Sequence, residues 1–162
     1  MEKEHIVHPF PPVYDEESRV LILGSFPSVI SRKQNFYYAN PHNRFWPVLE
    51  QLFDDPVINK ETFCHKHHIA LWDVIHDCTI KGSSDASITD VTVNDIASLL
   101  PDTHIHTIFT TGKRAGSLYD KYVSLDMEHI NLPSTSSANA SMHLDDLVES
   151  YRIVKEKCNE ES

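Results

Sequence analysis

The run Val20-Leu21-Ile22-Leu23-Gly24-Ser25-Phe26-Pro27-Ser28 carries the reading of the fold. Its uninterrupted apolar stretch, Val20 to Leu23, is strand-sized and far too short to span a membrane. Around it, residues 19–26 have strand character, and a long loop, 24–43, leads into a helix-compatible stretch at 43–53. The same alternation recurs along the chain. Further strand-like segments lie at 69–74, Thr107–Thr111 and Glu128–Leu132, and further helix-compatible stretches at 60–67, 93–100, Lys113–Tyr122 and 143–157. Strands alternating with helices imply an α/β fold, and we expect a three-layer α-β-α sandwich around a central, mainly parallel four-stranded sheet. In the last helix, Leu144, Leu147, Tyr151 and Val154 recur at spacings of three and four, a stripe that should pack on the sheet.

In such a sheet the ligand site lies outside the carboxyl ends of the strands. That rule selects the loops 24–43, 73–88, 112–115 and 133–141. At 162 residues the chain is the size of one domain, expected to cover 1–162. The charged N-terminus does not resemble an export signal, so an intracellular, cytoplasmic protein acting as a monomer is expected. Cys64, Cys78 and Cys158 form an odd set without short paired spacing, which argues against a disulfide framework and a zinc ribbon. The net charge of −10 restricts any nucleic-acid surface to a local patch. Cys64, His67 and His68 can share a helical face, but structural zinc usually takes four ligands, and neither metal nor cofactor is expected.

Two segments carry a family resemblance: Gly24-Ser25-Phe26-Pro27-Ser28 with Phe36-Tyr37-Tyr38-Ala39-Asn40-Pro41-His42-Asn43-Arg44-Phe45-Trp46, and Leu132-Pro133-Ser134-Thr135-Ser136-Ser137-Ala138-Asn139-Ala140. Together they resemble the signature motifs of the uracil-DNA glycosylase superfamily. The Asn-Arg-Phe-Trp ending, and the Leu147 to Arg152 helix after the second motif, are similar to the mismatch-specific uracil glycosylases. Trp72-Asp73-Val74-Ile75, Cys78, Gly82-Ser83-Ser84-Asp85 and Ile88 are similar to the hypoxanthine-DNA, or DNA-deoxyinosine, glycosylases. The resemblance spans about residues 8 to 155. It implies a DNA repair enzyme that flips a deaminated base, foremost hypoxanthine, out of DNA and hydrolyses its N-glycosidic bond. It also exposes a departure. Most of the superfamily has Asp or Asn at the third position of the first motif to orient water, and here that position is Phe26.

The candidate site residues follow from motif and loop together. Tyr38 aligns with the residue that stacks on the flipped base, or it is core; Ser25 and Phe26 are expected against the same base. Asp73 stands where much of the superfamily has Asn, and an ionised carboxylate accepts from the N1–H of hypoxanthine but repels the bare N1 of adenine. The alternative for Asp73 is a turn cap. Asn43, with Asn40 in reserve, is the candidate for positioning the water, or a helix N-cap. Ser134, Thr135, Ser136 and Ser137 should grip phosphate, as should Lys113 and Arg114 at a helix start, with Arg32, Lys33, Arg44 and Lys81 adding positive charge. No lysine in these motifs suits a Schiff base, so strand cleavage is not expected. A uracil glycosylase, a catalytically silent DNA-binding module and a nucleotide-binding domain are the rival readings.

Overall fold

The computed structural model describes residues 2–160; Met1, Glu161 and Ser162, the extreme ends of the expected domain, lie outside the described residues. The strands are β1 (Glu4–Val7), β2 (Val20–Gly24), β3 (Ile69–Asp73), β4 (Ile75–Ile80), β5 (Thr89–Val93), β6 (Thr107–Thr111) and β7 (Glu128–Leu132). The helices are α1 (Val29–Gln34), α2 (Phe45–Phe53), α3 (Lys60–Lys66), α4 (Lys113–Tyr122) and α5 (Leu144–Cys158). None of the described helices is long and apolar enough to cross a membrane.

The central sheet has the order β3-β2-β6-β7, and every neighbouring pair is parallel. Strand β2, in the middle, is buried along its whole length, which is why it reads as a continuous apolar run rather than an alternating one. Alternate residues separate two cores. Val20, Ile22, Ile69, Leu71 and Phe109 face Phe45, Leu49, Leu147, Tyr151 and Val154 of α2 and α5, so the stripe read in the last helix does pack on the sheet. Leu21, Leu23, Ala70 and Ile108 face Leu118 and Tyr119 of α4 together with Ile75, Cys78 and Ile80 of β4.

The second covering layer is therefore part helix and part strand, which the sequence reading did not foresee. β1, β4 and β5 form a small antiparallel sheet of order β1-β4-β5. β4 begins after a single residue, Val74, whose N–H bonds the Gly24 carbonyl at 2.8 Å and turns the chain out of the parallel sheet. The expected loop 73–88 thus contains a strand, and the loop 24–43 contains α1. The expected helix at 93–100 is corrected: β5 ends at Val93, and only a 3-10 turn, Ile96–Leu99, follows. The helical spacing of Val93, Ile96 and Leu100 is overridden by Asn94. Its buried amide donates to the carbonyls of Asp73 at 2.8 Å and Ile75 at 3.2 Å.

Asn94 thereby fixes the end of β3, where Asp73 stands. Asn94→Ala leaves two carbonyls short of a donor and should cost about 2–3 kcal/mol. For a chain of this size that is a fall of about 4–12 °C in melting temperature, readable by calorimetry. An unchanged melting point would mean that the β3–β4 turn does not depend on Asn94.

Candidate active site

At the carboxyl ends of the parallel strands the loops enclose a cavity of about 200 Å³. That is smaller than the roughly 300–1,000 Å³ of drug-sized pockets, the scale of one flat base rather than a whole nucleotide. Its wall is contributed by the ends of β3 and β6 and by the loops after β2, β4 and β7, including Ser25, Phe26, Tyr38, Asn40, Asn43, Asp73, Asp85, Thr111, Ser134 and Ser136. The cleft brings together Tyr38, Asp73, Phe26, Ser25, Asn43 and Asn40, all singled out from the sequence.

Tyr38 adopts φ 52°, left-handed backbone that costs an aromatic residue about 1–3 kcal/mol and is usually held by its surroundings. Here the ring stacks on Phe45 with centroids 3.8 Å apart and planes 10° from parallel, and the hydroxyl lies 3.3 Å from Thr111 Oγ1. Burial first, and the nearby Asp73 second, raise the pKa of this phenol and of its neighbour Tyr37. Tyr37 is turned into the core, its hydroxyl donating to the Pro11 carbonyl at 2.9 Å. The strand end beneath Tyr38 leaves no room for a side chain. A Cβ on Gly24 would stand 2.6 Å from Asp73 Oδ1 and 3.3 Å from the Tyr38 hydroxyl.

Asp73 is buried at the end of β3 and is held by His8, which lies just after β1. His8 Nε2 is 2.7 Å from Asp73 Oδ2, and the two side chains are 3% and 5% exposed. His8 Nδ1 is 2.8 Å from the carbonyl of Phe10. A carbonyl only accepts, so Nδ1 carries a hydrogen and donates it. A second proton must lie between Nε2 and Oδ2, giving either imidazolium with carboxylate or imidazole with carboxylic acid. In both arrangements Oδ1 remains an acceptor. Asp73 therefore offers the cleft an acceptor whichever partner holds the proton, and the turn-cap alternative does not describe its side chain.

Asn43 and the serine loop form one unit. Asn43 Oδ1 accepts from Phe45 N at 2.9 Å and from Thr135 Oγ1 at 2.8 Å. With its oxygen engaged at the start of α2, the amide NH₂ is what Asn43 has left to offer. Asn40 Oδ1 accepts from His42 N at 2.9 Å. Thr135 is buried and serves Asn43 rather than facing outward. Ser134 Oγ accepts from Ser136 N and Ser136 Oγ from Ala138 N, at 3.1 and 3.2 Å, which leaves both hydroxyl hydrogens to donate. Ser137 is exposed beside them.

The arginines differ from expectation. Arg44 donates to the carbonyls of Ser136 at 2.7 Å and Asn139 at 3.1 Å, and also to that of Met142. Arg32 donates to the Gly82 carbonyl at 2.8 Å and lies over the Phe26 ring at 5.7 Å. Arg114 donates to the Ile88 carbonyl at 3.0 Å. All three act as loop staples instead of presenting charge outward. Lys33, Lys81 and Lys113 are exposed. Among the histidines of the expected metal-free cluster, His67 pairs with Asp55 at 2.8 Å and His65 with Asp15 at 3.0 Å.

Two residues of the site escaped the sequence reading. His8 lies in a segment with no strand-end motif, and only the fold brings it to Asp73. Asp85 was quoted within a motif but given no role. Its Oδ1 accepts from Ser25 Oγ at 2.9 Å, and although the residue is exposed at the rim, protein packed around its carboxyl raises its pKa.

A parallel α/β sheet whose strand ends hold an aromatic platform, a committed acceptor and a hydroxyl-bearing loop is the architecture of an enzyme that extracts a base from DNA. The comparisons agree. The chain belongs to the uracil DNA glycosylase superfamily, whose sequence profile matches residues 11–155, and it is a DNA glycosylase. It is 36% identical over 138 residues to the Hypoxanthine DNA glycosylase of Methanosarcina acetivorans, covering 80% of this chain and 86% of that one. To the Hypoxanthine DNA glycosylase of Methanosarcina barkeri it is 31% identical over 137 residues, with the same coverages. The solution NMR structure of a candidate uracil DNA glycosylase from Methanosarcina acetivorans superposes with a TM-score of 0.77 at 29% identity, covering 93% of this chain and 99% of that one.

The His8–Asp73 contact yields a stability prediction. His8→Ala strands a buried acid without its partner and should cost about 3–5 kcal/mol in denaturant unfolding. Adding Asp73→Asn should recover part of that loss, because an amide needs no counter-ion. If His8→Ala costs less than about 1 kcal/mol, water rather than His8 satisfies Asp73.

Proposed function

We propose that this DNA glycosylase hydrolyses deoxyinosine in DNA, releasing hypoxanthine and leaving an abasic site. The observation that carries the reading is Asp73 Oδ1, an acceptor fixed by His8 beside the Tyr38 platform. A hypoxanthine stacked on Tyr38 directs its N1–H to that oxygen. Adenine would direct a lone pair there instead, leaving two acceptors face to face at a cost of about 1–3 kcal/mol. Guanine also carries an N1–H, and there the difference lies in the duplex. Inosine is weakly paired and leaves the stack at lower cost. The names of the two Methanosarcina relatives support the same substrate.

The remaining residues take roles their bonding allows. The Asn43 NH₂ donates toward the base, where negative charge develops as the bond breaks. Asn40 stands beside it in the wall as its reserve. Phe26 and Ser25 close the side opposite Tyr38. Ser134, Ser136 and Ser137 donate to phosphate, with Lys113 adding charge; Thr135 supports the serine loop through Asn43, and Arg114 holds the segment before β5 through the Ile88 carbonyl. Among the described residues lining the cleft there is no lysine, which supports a monofunctional hydrolase without strand cleavage. Uracil presents a ring N–H to the same acceptor and is the second reading.

Oligonucleotides carrying inosine, uracil or xanthine, cleaved with alkali after incubation, test the substrate. Release from inosine should lead, and a preference for uracil would overturn the reading. Asp73→Asn adds a donor at the base edge and should lower the ratio of inosine to uracil activity; a uniform fall would show that Asp73 supports the loop without selecting the base. Tyr38→Ala should weaken single-turnover excision by the equivalent of about 1–3 kcal/mol of stacking while the protein stays folded. Full activity would remove Tyr38 from the base site.

A further inference from the structure

Resting on the reading that this cleft holds the flipped base, one requirement is still unmet: hydrolysis at C1′ needs an acceptor for the proton of the attacking water. Most acceptors in the cleft are engaged. Phe26 has none, and Asn43 Oδ1 already accepts two hydrogen bonds. Asn40 Oδ1 accepts from the His42 N–H at 2.9 Å, and an amide oxygen is too weakly basic to take the proton. Asp73 spends Oδ2 on His8 and Oδ1 on the base edge. The other acid in the wall is Asp85.

Its placement suits the task. Ser25 Oγ donates to Asp85 Oδ1 at 2.9 Å, and no hydrogen bond from a described residue reaches Oδ2. Ser25 directly follows β2, whose last residue, Gly24, pairs with Asp73. Asp85 is thus anchored at the strand end on the side of Phe26, which packs in the core beneath one face of the sheet. Tyr38 packs against the core on the other face. Tyr38 and Asp85 line the same cleft, so a base stacked on Tyr38 would share it with the Asp85 carboxylate. Arg32 and Arg114 hold the loop carrying Asp85 at both ends, through the Gly82 and Ile88 carbonyls.

We propose that Asp85 is the catalytic base of this glycosylase, its Oδ2 accepting a proton from the water that attacks C1′ while Ser25 holds Oδ1. The water oxygen bonds to C1′ as the C1′–N bond breaks, and the bonding electron pair leaves with the base. The departing base takes up one proton from solvent and Asp85 returns one, so the net reaction adds H to the base and OH to the sugar. Burial raises the Asp85 pKa, the Ser25 hydrogen bond and Arg114 lower it, and Asp73 raises it further. Lys113 lies beside it on α4, and Cys78 on β4 also senses its charge. The working form is the ionised one, so excision should fall as pH drops through the Asp85 pKa.

Asp85→Asn keeps the acceptor for Ser25 and removes the base. Single-turnover excision at neutral pH should fall by about 100-fold or more. Binding to lesion DNA and the melting temperature should stay near wild type, and the acid limb of the pH–rate profile should vanish. Asp85→Ala should regain activity with added formate. If a folded Asp85→Asn keeps a near-normal rate and the same acid limb, the assignment is overturned while the substrate reading stands. If the wild-type protein prefers uracil or xanthine and Asp85→Asn abolishes that activity, the assignment stands and the hypoxanthine reading falls.

Discussion

The cleft depends on the buried contact between His8 and Asp73. It joins the segment after β1 to the end of β3, so a residue from the start of the chain holds the floor of a site made otherwise from strand-end loops. The surroundings leave little slack. The imidazole sits edge-on to Phe10, with ring centroids 4.7 Å apart, and to Phe26 at 5.9 Å, while Gly24 makes the space into which Asp73 Oδ1 points. An isolated buried carboxylate would take up a proton and could then rotate to donate to a ligand. Bound to a histidine whose other nitrogen is committed to a carbonyl, it is confined to accepting. An acceptor facing the cleft is thereby fixed before any ligand arrives.

A second constraint concerns charge. A protein with a net charge of −10 that binds DNA has few cations to spare, yet three arginines around the cleft are spent on backbone carbonyls. Their planar, multi-donor head suits that work, since one guanidinium satisfies several carbonyls of an irregular loop at once. Arg44 does so for the loop from Ser136 to Met142. On the proposed reading, phosphate contact is left to lysines and to hydroxyl hydrogens, a small electrostatic footprint for a DNA-binding surface.

The parallel sheet was legible because strands buried on both faces are written as apolar runs, and because strand-end loops mark the site in any such sheet. The loops and strand ends that carry Tyr38, Asp73 and Asn43 were reached that way, and the residues themselves through the family resemblance. The small sheet was not. β4 follows β3 after one residue, so the apolar segment 69–74 conceals a change of sheet, and β5 passes into a stretch whose helical spacing is broken only by the hydrogen bonds of Asn94. His8 has no sequence signal, because its meaning lies in a contact with a residue 65 positions away. The engagement of Asn43 Oδ1 and of the Arg44 guanidinium was out of reach for a related reason. Sequence names a side chain's donors and acceptors, but only geometry shows which are already used.

That point resolves the oddity of Phe26. A phenylalanine where relatives carry a water-orienting residue is a defect only if the water must be held from that position. In this fold the neighbouring Ser25 passes the anchor to Asp85, which enters the cleft from a different loop. Phe26 gains a use of its own, as an apolar wall on that side of the base and a surface on which Arg32 packs. On the proposal that Asp85 is the base, reading the base and activating the water fall to two acids fixed by different partners, His8 for Asp73 and Ser25 for Asp85, yet coupled, because the charge of Asp73 raises the pKa of Asp85.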